Sequence, residues 1–133
     1  MNDDKSNPFQ ILGSDQVPTQ GGQPVMEQDK SGELKDRIER LIGSSDIFLF
    51  MKGIPEFPQC GFSANVIGML NTLNVPYKTF DILTDMDIRQ GVKEWANWPT
   101  YPQLYFKGEL LGGNDVVMEM FETGELKEVL LGN

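Results

Sequence analysis

The chain has 133 residues, with 11 lysines and arginines against 20 aspartates and glutamates, one cysteine and no histidine, for a formal net charge of −9. One cysteine cannot form an internal disulfide framework, and without histidine neither a Ser-His-Asp triad nor a histidine-based metal site can be assembled within the chain. The acidic balance disfavours nucleic-acid binding, and the longest apolar run, Ile47–Met51, is far shorter than the roughly 20 residues that span a bilayer.

The first thirty residues differ from the rest of the chain in composition. They contain Pro8, Pro18, Pro24 and several glycines, and few large apolar residues. Such a segment cannot bury enough apolar surface to offset the entropy of ordering, so we predict a disordered tail at 1–30 and one domain at 31–133. The tail lacks the apolar stretch of a secretory signal and the arginines of a transit peptide. We therefore expect a cytoplasmic protein that does not contact membranes.

From Ser31 onward, hydrophobic periodicity predicts alternating helices and strands. Leu34, Ile38 and Ile42 lie on one face of a first helix, and the continuous apolar run Ile47–Met51 predicts a buried central strand. The further predictions are a proline-bearing loop at 53–58, a helix at 62–74, a strand at 77–82, a helix at 87–97, a hairpin with strands at 103–106 and 109–111, and a helical stretch at 115–131 interrupted near Gly124. This order predicts an α/β fold in which helices flank a four-stranded mixed sheet.

Cys60 lies between the proline-bearing loop and the second predicted helix. There its sulfur faces unpaired main-chain N–H groups and the positive end of the helix dipole, and both stabilise a thiolate. Lys52, at the end of the first strand, adds a positive charge. A lone cysteine is also commonly a small buried hydrophobic residue, so position alone leaves a reactive and a structural role open.

Four sequence blocks together resemble the monothiol, CGFS-type glutaredoxins. The blocks are Lys52, the run Cys60-Gly61-Phe62-Ser63, the run Trp98-Pro99-Thr100-Tyr101-Pro102 and the run Gly112-Gly113-Asn114-Asp115. They occur in the family's order and spacing, and the resemblance extends over about residues 34–131. It implies the thioredoxin fold, in agreement with the predicted element order, and a cis peptide bond before Pro102.

The resemblance also implies a glutathione site. Lys52 and Arg89 match the basic residues that bind the carboxylates of the tripeptide, which suits an anionic ligand because arginine pairs with carboxylates in a bidentate way. Tyr101 matches the residue whose backbone pairs with the cysteinyl part like an added strand. Asn114 and Asp115 match the positions that hold the γ-glutamyl end, where Asp115 accepts from the ammonium group.

Taken singly, these residues have simpler explanations, and one of them departs from the family pattern. Arg89 and Lys93, four apart on one helix, would ordinarily be solvated charges, and Gly112-Gly113 would be an ordinary turn. Asn114 stands where many family members have a cysteine. The chain therefore has no second thiol to resolve a disulfide at Cys60, and resolution requires an external thiol such as glutathione.

One thiolate per chain leads to three functional hypotheses. A [2Fe–2S] cluster requires four thiolates, and the resemblance implies that two chains and two glutathiones supply them in a cluster-bridged homodimer. This form would act in iron–sulfur cluster assembly, transfer or iron homeostasis, with BolA-like proteins and iron–sulfur client proteins as partners. The alternative is glutathione-dependent reduction of mixed disulfides by Cys60, although Ser63 stands where dithiol relatives carry a resolving cysteine. A third hypothesis is a thioredoxin-like adaptor that uses its surface and not its thiol.

Overall fold

The computed structural model describes residues 23–132. The chain divides into a unit that ends at Glu33 and a second unit that begins at Leu34. In chain order the elements are α1 (Gln23–Ile42), β1 (Ile47–Met51), β2 (Gly53–Ile54), β3 (Phe57–Pro58), α2 (Gly61–Leu73), β4 (Lys78–Asp81), a 3-10 turn (Ile82–Thr84), α3 (Met86–Ala96), β5 (Gln103–Phe106), β6 (Glu109–Gly112), α4 (Asn114–Thr123) and α5 (Glu125–Leu131). No helix within 23–132 combines the length and the apolar character needed to cross a membrane.

Helix α1 begins earlier than the sequence predicts. Residues 23–30 are helical, whereas their composition places them at the end of a disordered tail. Pro24 does not prevent this start, because the first turn of a helix tolerates a proline whose missing N–H would have no partner there. The remainder of the predicted tail, residues 1–22, lies outside the described residues.

The main sheet has four strands in the order β4-β1-β5-β6. Strand β1 pairs in parallel with β4 and antiparallel with β5, and β5 pairs antiparallel with β6. Every residue of β1 is buried, as its continuous apolar run predicts. The predicted hairpin is also present, since Lys107 and Gly108 between β5 and β6 both have positive φ, the conformation that a tight hairpin turn requires. The predicted mixed sheet is therefore confirmed.

The two faces of the sheet carry separate hydrophobic clusters. On one face, Leu49 and Leu104 pack with residues of α2, α4 and α5. On the other face, Phe50 and Tyr105 pack with residues of α1 and α3. The division follows from the alternation of side chains along each strand. Helices flank the sheet on both sides, and the expected thioredoxin-type α/β fold is confirmed.

Two short elements near the end of β1 were not predicted. Strands β2 and β3 pair as a small hairpin within the predicted loop at 53–58. Strand β4 ends at Asp81, one residue before the predicted end, because a 3-10 turn follows. One carboxylate oxygen of Asp81 accepts hydrogen bonds from the main-chain N–H groups of Gly53 and Leu83, each at 2.9 Å. Asp81 therefore holds the hairpin and the turn together.

Candidate functional site

A cavity of about 500 Å³ opens beside the end of β1 and the start of α2. Helix α3, the loop at 98–102 and the start of α4 supply its other walls. The cavity is lined by every residue that the sequence analysis proposes for the site, namely Lys52, Cys60, Arg89, Tyr101, Asn114 and Asp115, and also by Lys93. The fold therefore brings these residues together, while their individual roles stay predictions.

The half-buried Cys60 immediately precedes α2. The main-chain N–H of Ser63 lowers the pKa of the Cys60 thiol below its ordinary value of 9.0, and burial opposes this shift. The main-chain N–H of Phe62, the positive charge of Lys52 and the hydroxyl of Ser63 lower the pKa further. These are the stabilising groups expected at a helix N-terminus, so Cys60 has the environment of a reactive thiol.

Ser63 connects the thiol to the central strand. Its side chain is fully buried, and its hydroxyl oxygen accepts a hydrogen bond from the main-chain N–H of Lys52 at 3.2 Å. The same residue stabilises the Cys60 thiolate through its N–H and its hydroxyl. In the sequence, Ser63 only marks the place of an absent resolving cysteine. The available signal was a hydroxyl residue three positions after a cysteine in the first turn of a predicted helix.

We expect Ser63→Ala to raise the pKa of Cys60, because the contribution of the hydroxyl is lost while the main-chain N–H groups remain. Only the thiolate reacts with an alkylating agent. The rate of reaction with iodoacetamide is measured as a function of pH. Its midpoint lies below pH 9.0 in the unmodified chain and should move to higher pH in the variant. Ser44→Ala is the matched control, because the hydroxyl of Ser44 bonds the carbonyl of Leu41 and does not line the cavity. Equal midpoints in both variants would show that the Ser63 hydroxyl has no such effect.

The β2–β3 hairpin sets the positions of Lys52 and Cys60. The main-chain N–H of Gln59 donates to the carbonyl of Lys52 at 2.8 Å, which closes the loop next to Cys60. Gly53 has φ +97°, and a Cβ atom at this position would lie 2.6 Å from the carbonyl oxygen of Phe57. Only glycine fits this conformation and this spacing. The segment between the lysine and the thiol is therefore a tightly closed hairpin.

Helix α3 supplies two of the three cations around the cavity, Arg89 and Lys93. Among residues 32–132, whose side chains the structure describes, neither Arg89, Lys93 nor Lys52 forms an ion pair. The helix is positioned by Asp85, which caps its N-terminus and pairs with Arg37 at 2.8 Å. The hydrogen bond from Arg37 holds the pKa of Asp85 below its usual value. The cavity therefore presents to an anionic ligand three cations that have no ion-pair partner among residues 32–132.

The loop at 98–102 forms another wall of the cavity, next to Gly113 at the start of α4. The Tyr101–Pro102 peptide bond is cis, as the resemblance implies. The hydroxyl of Tyr101 donates to the main-chain carbonyl of Arg89 at 2.7 Å, which ties the loop to α3. The main-chain N–H and C=O of Tyr101 have no main-chain partner among residues 23–132. These two groups are therefore available to pair with an extended ligand.

Two side chains that line the cavity each have a buried polar atom without a hydrogen-bond partner among the described residues. The two atoms are the indole N–H of Trp98 and the side-chain oxygen of Asn114. The amide nitrogen of Asn114 faces the carboxylate of Asp115 at 3.3 Å, and because a carboxylate only accepts, the amide oxygen must point the other way. Buried polar groups in native proteins almost always have partners. A bound polar ligand, able to donate and accept, would satisfy these atoms.

Comparisons with known proteins agree with this geometry. The glutaredoxin family model matches residues 47–111. The ycf64-like monothiol glutaredoxin of Synechocystis sp. is 50% identical over 98 residues, which cover 74% of this chain and 92% of that protein. The solution structure of reduced poplar apo GrxS14 has a TM-score of 0.64 and 46% identity, with 71% of this chain and 87% of that chain covered.

A second relative is much longer than this chain. Monothiol glutaredoxin-S17 of Arabidopsis thaliana is 50% identical over 125 residues, which cover 83% of this chain. The match covers 26% of that protein, so this chain spans about a quarter of its length. The similarity over nearly the whole of the cyanobacterial relative and the four matching sequence blocks lead to one conclusion: the chain belongs to the monothiol glutaredoxin family.

Proposed function

We propose that this protein binds glutathione in the cavity beside Cys60 and, as a homodimer, carries a [2Fe–2S] cluster for iron–sulfur cluster assembly, transfer or iron homeostasis. The observation that carries the proposal is the placement of one stabilised thiolate in a cavity of about 500 Å³, among three cations that form no ion pair with the described side chains of residues 32–132. This volume lies within the usual range for small-molecule sites, roughly 300–1,000 Å³.

The residues around the cavity match the chemistry of glutathione, a tripeptide with two carboxylates, one ammonium group and one thiol. In the proposed complex, Lys52 and Arg89 bind carboxylates. The carboxylate of Asp115 and the unpartnered oxygen of Asn114 accept from the ammonium group. The main-chain groups of Tyr101 pair with the extended cysteinyl backbone. This pose would bring the glutathione thiol next to Cys60.

The chain has too few metal-ligating side chains to hold the cluster alone, so the proposal requires a second protomer. The chain contains one cysteine and no histidine, and among the described side chains of residues 32–132 no group of three or more His, Cys, Asp or Glu is arranged to hold a metal ion. A [2Fe–2S] cluster takes four thiolate ligands. Two copies of Cys60 and two bound glutathiones supply that number. Because the glutathiones are bound non-covalently, the cluster would be labile, which suits a carrier that receives clusters and passes them on.

Partners follow from the same proposal. A carrier needs an acceptor, and we propose iron–sulfur client proteins for this role. We also propose that a BolA-like protein replaces one protomer in a mixed cluster complex. Both partners would approach the face that carries Cys60, because the cluster ligand lies there.

Anaerobic reconstitution tests the proposal. The protein is incubated with iron, sulfide and reduced glutathione, and the visible spectrum, the iron and sulfide content and the molecular mass are recorded. We expect a coloured dimer with about two irons and two sulfides, and a colourless monomer when glutathione is omitted. A colourless, iron-free monomer in the presence of glutathione would contradict the proposal.

The lowered pKa of the partly exposed Cys60 favours one further candidate function. A thiolate nucleophile can attack a mixed disulfide, form a bond to the glutathione sulfur and release the protein thiol; a second glutathione then regenerates Cys60 as oxidised glutathione leaves. Turnover of a glutathionylated substrate with glutathione and glutathione reductase measures this activity. Rates comparable to those of dithiol glutaredoxins would place oxidoreductase activity ahead of cluster transport.

A further inference from the structure

A single polar side chain lies within the buried part of β5. Gln103 is the first residue of this strand, is fully buried and does not line the cavity. A buried amide is costly unless it is hydrogen-bonded. The side-chain nitrogen of Gln103 donates to the main-chain carbonyls of Trp98 at 3.1 Å and Thr100 at 3.2 Å. Its side-chain oxygen accepts from the hydroxyl of Tyr105 at 2.8 Å.

The orientation of this amide follows from its partners. Main-chain carbonyls only accept, so the nitrogen of Gln103 must face Trp98 and Thr100, and both of its hydrogens are used. Tyr105 is buried as well, and its ring packs edge-on against Phe50 of the central strand, with centroids 5.8 Å apart. The loop at 98–102 is therefore connected to the centre of the sheet through Gln103 and Tyr105.

The loop is also held at two other points. The main-chain N–H of Trp98 donates to the carbonyl of Lys93 at 3.0 Å, and the hydroxyl of Tyr101 donates to the carbonyl of Arg89. Gln103 holds the carbonyls on either side of Pro99, directly before the unpaired main-chain groups of Tyr101. Without Gln103, nothing described in the structure would hold the carbonyl of Thr100.

We propose that Gln103 is a positioning residue for glutathione: its buried amide holds the loop so that the main chain of Tyr101 is presented to the cysteinyl part of the tripeptide. This inference rests on the proposed glutathione site and adds a residue that touches neither the ligand nor Cys60. It also separates two properties of the site. The thiolate is stabilised from α2 and Lys52, on another wall, so a looser loop should weaken glutathione binding and leave the thiol pKa unchanged.

The test uses Gln103→Met, which keeps the length of the side chain and removes both loop hydrogen bonds. We expect the Kd for reduced glutathione, measured by calorimetry, to rise about tenfold or more. The pH midpoint of Cys60 alkylation should stay unchanged, and hydrogen exchange at the main-chain amide of Trp98, which bonds the carbonyl of Lys93, should become faster. Tyr105→Phe, which removes one hydrogen bond and keeps both donors of Gln103, should raise the Kd about threefold.

Leu130→Ala is the control for a general loss of stability, because Leu130 packs in the hydrophobic cluster on the opposite face of the sheet. It should unfold at a lower temperature and bind glutathione with unchanged affinity. Unchanged affinity in folded Gln103→Met, or in Tyr105→Phe if the first variant does not fold, would overturn the inference while the proposed function stands. Unmodified protein that does not bind glutathione would overturn both.

Discussion

Cys60→Ser is expected to leave the protein colourless and iron-free after anaerobic reconstitution with iron, sulfide and glutathione. Cys60 is the chain's one cysteine, and iron–sulfur clusters are held by thiolates, for which a serine hydroxyl is a poor substitute. Since each protomer contributes one protein ligand, the substitution removes both protein ligands of the proposed dimer. Visible absorption, iron content and molecular mass should all fall to the level of the glutathione-free protein.

The thermal unfolding transition provides the control for Cys60→Ser. Cys60 is only half-buried, and serine is nearly isosteric with cysteine. The free energy of unfolding of the variant should therefore lie within about 0.5 kcal/mol of that of the unmodified chain, as is usual for surface substitutions. Loss of the colour can then be attributed to the lost ligand. A variant that folds and still takes up a visible chromophore would show that the iron is bound elsewhere, and the shared-cluster proposal would fail.

Arg89→Ala is expected to weaken glutathione binding by about 10- to 100-fold. A hydrogen bond to a charged group contributes about 1.5–3 kcal/mol, and about 1.4 kcal/mol corresponds to a factor of ten in Kd. The half-buried side chain of Arg89 forms no ion pair with the side chains of residues 32–132, so its removal leaves none of their carboxylates unpaired. Its main-chain carbonyl remains to accept from Tyr101. Calorimetric titration with glutathione measures the effect.

Arg40→Ala is the matched control for Arg89→Ala. It removes the same charge from the exposed part of α1, and Arg40 does not line the cavity. If the long-range field of the acidic chain determined affinity, both variants would bind glutathione equally weakly. We expect Arg40→Ala to bind like the unmodified protein, and a rise in salt to reduce the difference between the two variants, because screening weakens exposed charge pairs. Equal Kd values for glutathione in the two variants would show that Arg89 does not bind the ligand.

The cation cluster shows where sequence and structure contribute different information. Lys52 is far along the sequence from Arg89 and Lys93 in a chain of net charge −9, and spacing alone places only Arg89 and Lys93 on one helix. The assignment of Lys52 and Arg89 to one site came from the resemblance to the family. The structure adds that all three line one cavity with Cys60. The meeting of separate elements at one cavity is a tertiary property, because it depends on the strand order, which places β1 between β4 and β5.

The supporting residues were the least predictable. Gln103 looks like an irregularity in an apolar strand, and Asp81 like an ordinary carboxylate at the end of a strand. Their importance comes from partners distant in sequence, such as Gly53, which Asp81 contacts across 28 positions. Hydrophobic periodicity carries no information on these contacts, since it reports which face of an element is buried and not which polar groups meet there.

By itself, the sequence determined the broad class, the central buried strand, the hairpin turn at Lys107-Gly108 and the interruption near Gly124, because these depend on local periodicity and on residues suited to particular backbone conformations. It also determined that the chain has one thiol and cannot complete a four-thiolate cluster alone. Only the tertiary structure decided how Ser63 joins the thiol to β1 and how Gln103 holds the cavity wall. These features depend on hydrogen bonds between separate elements, which exist only once the sheet and helices have packed.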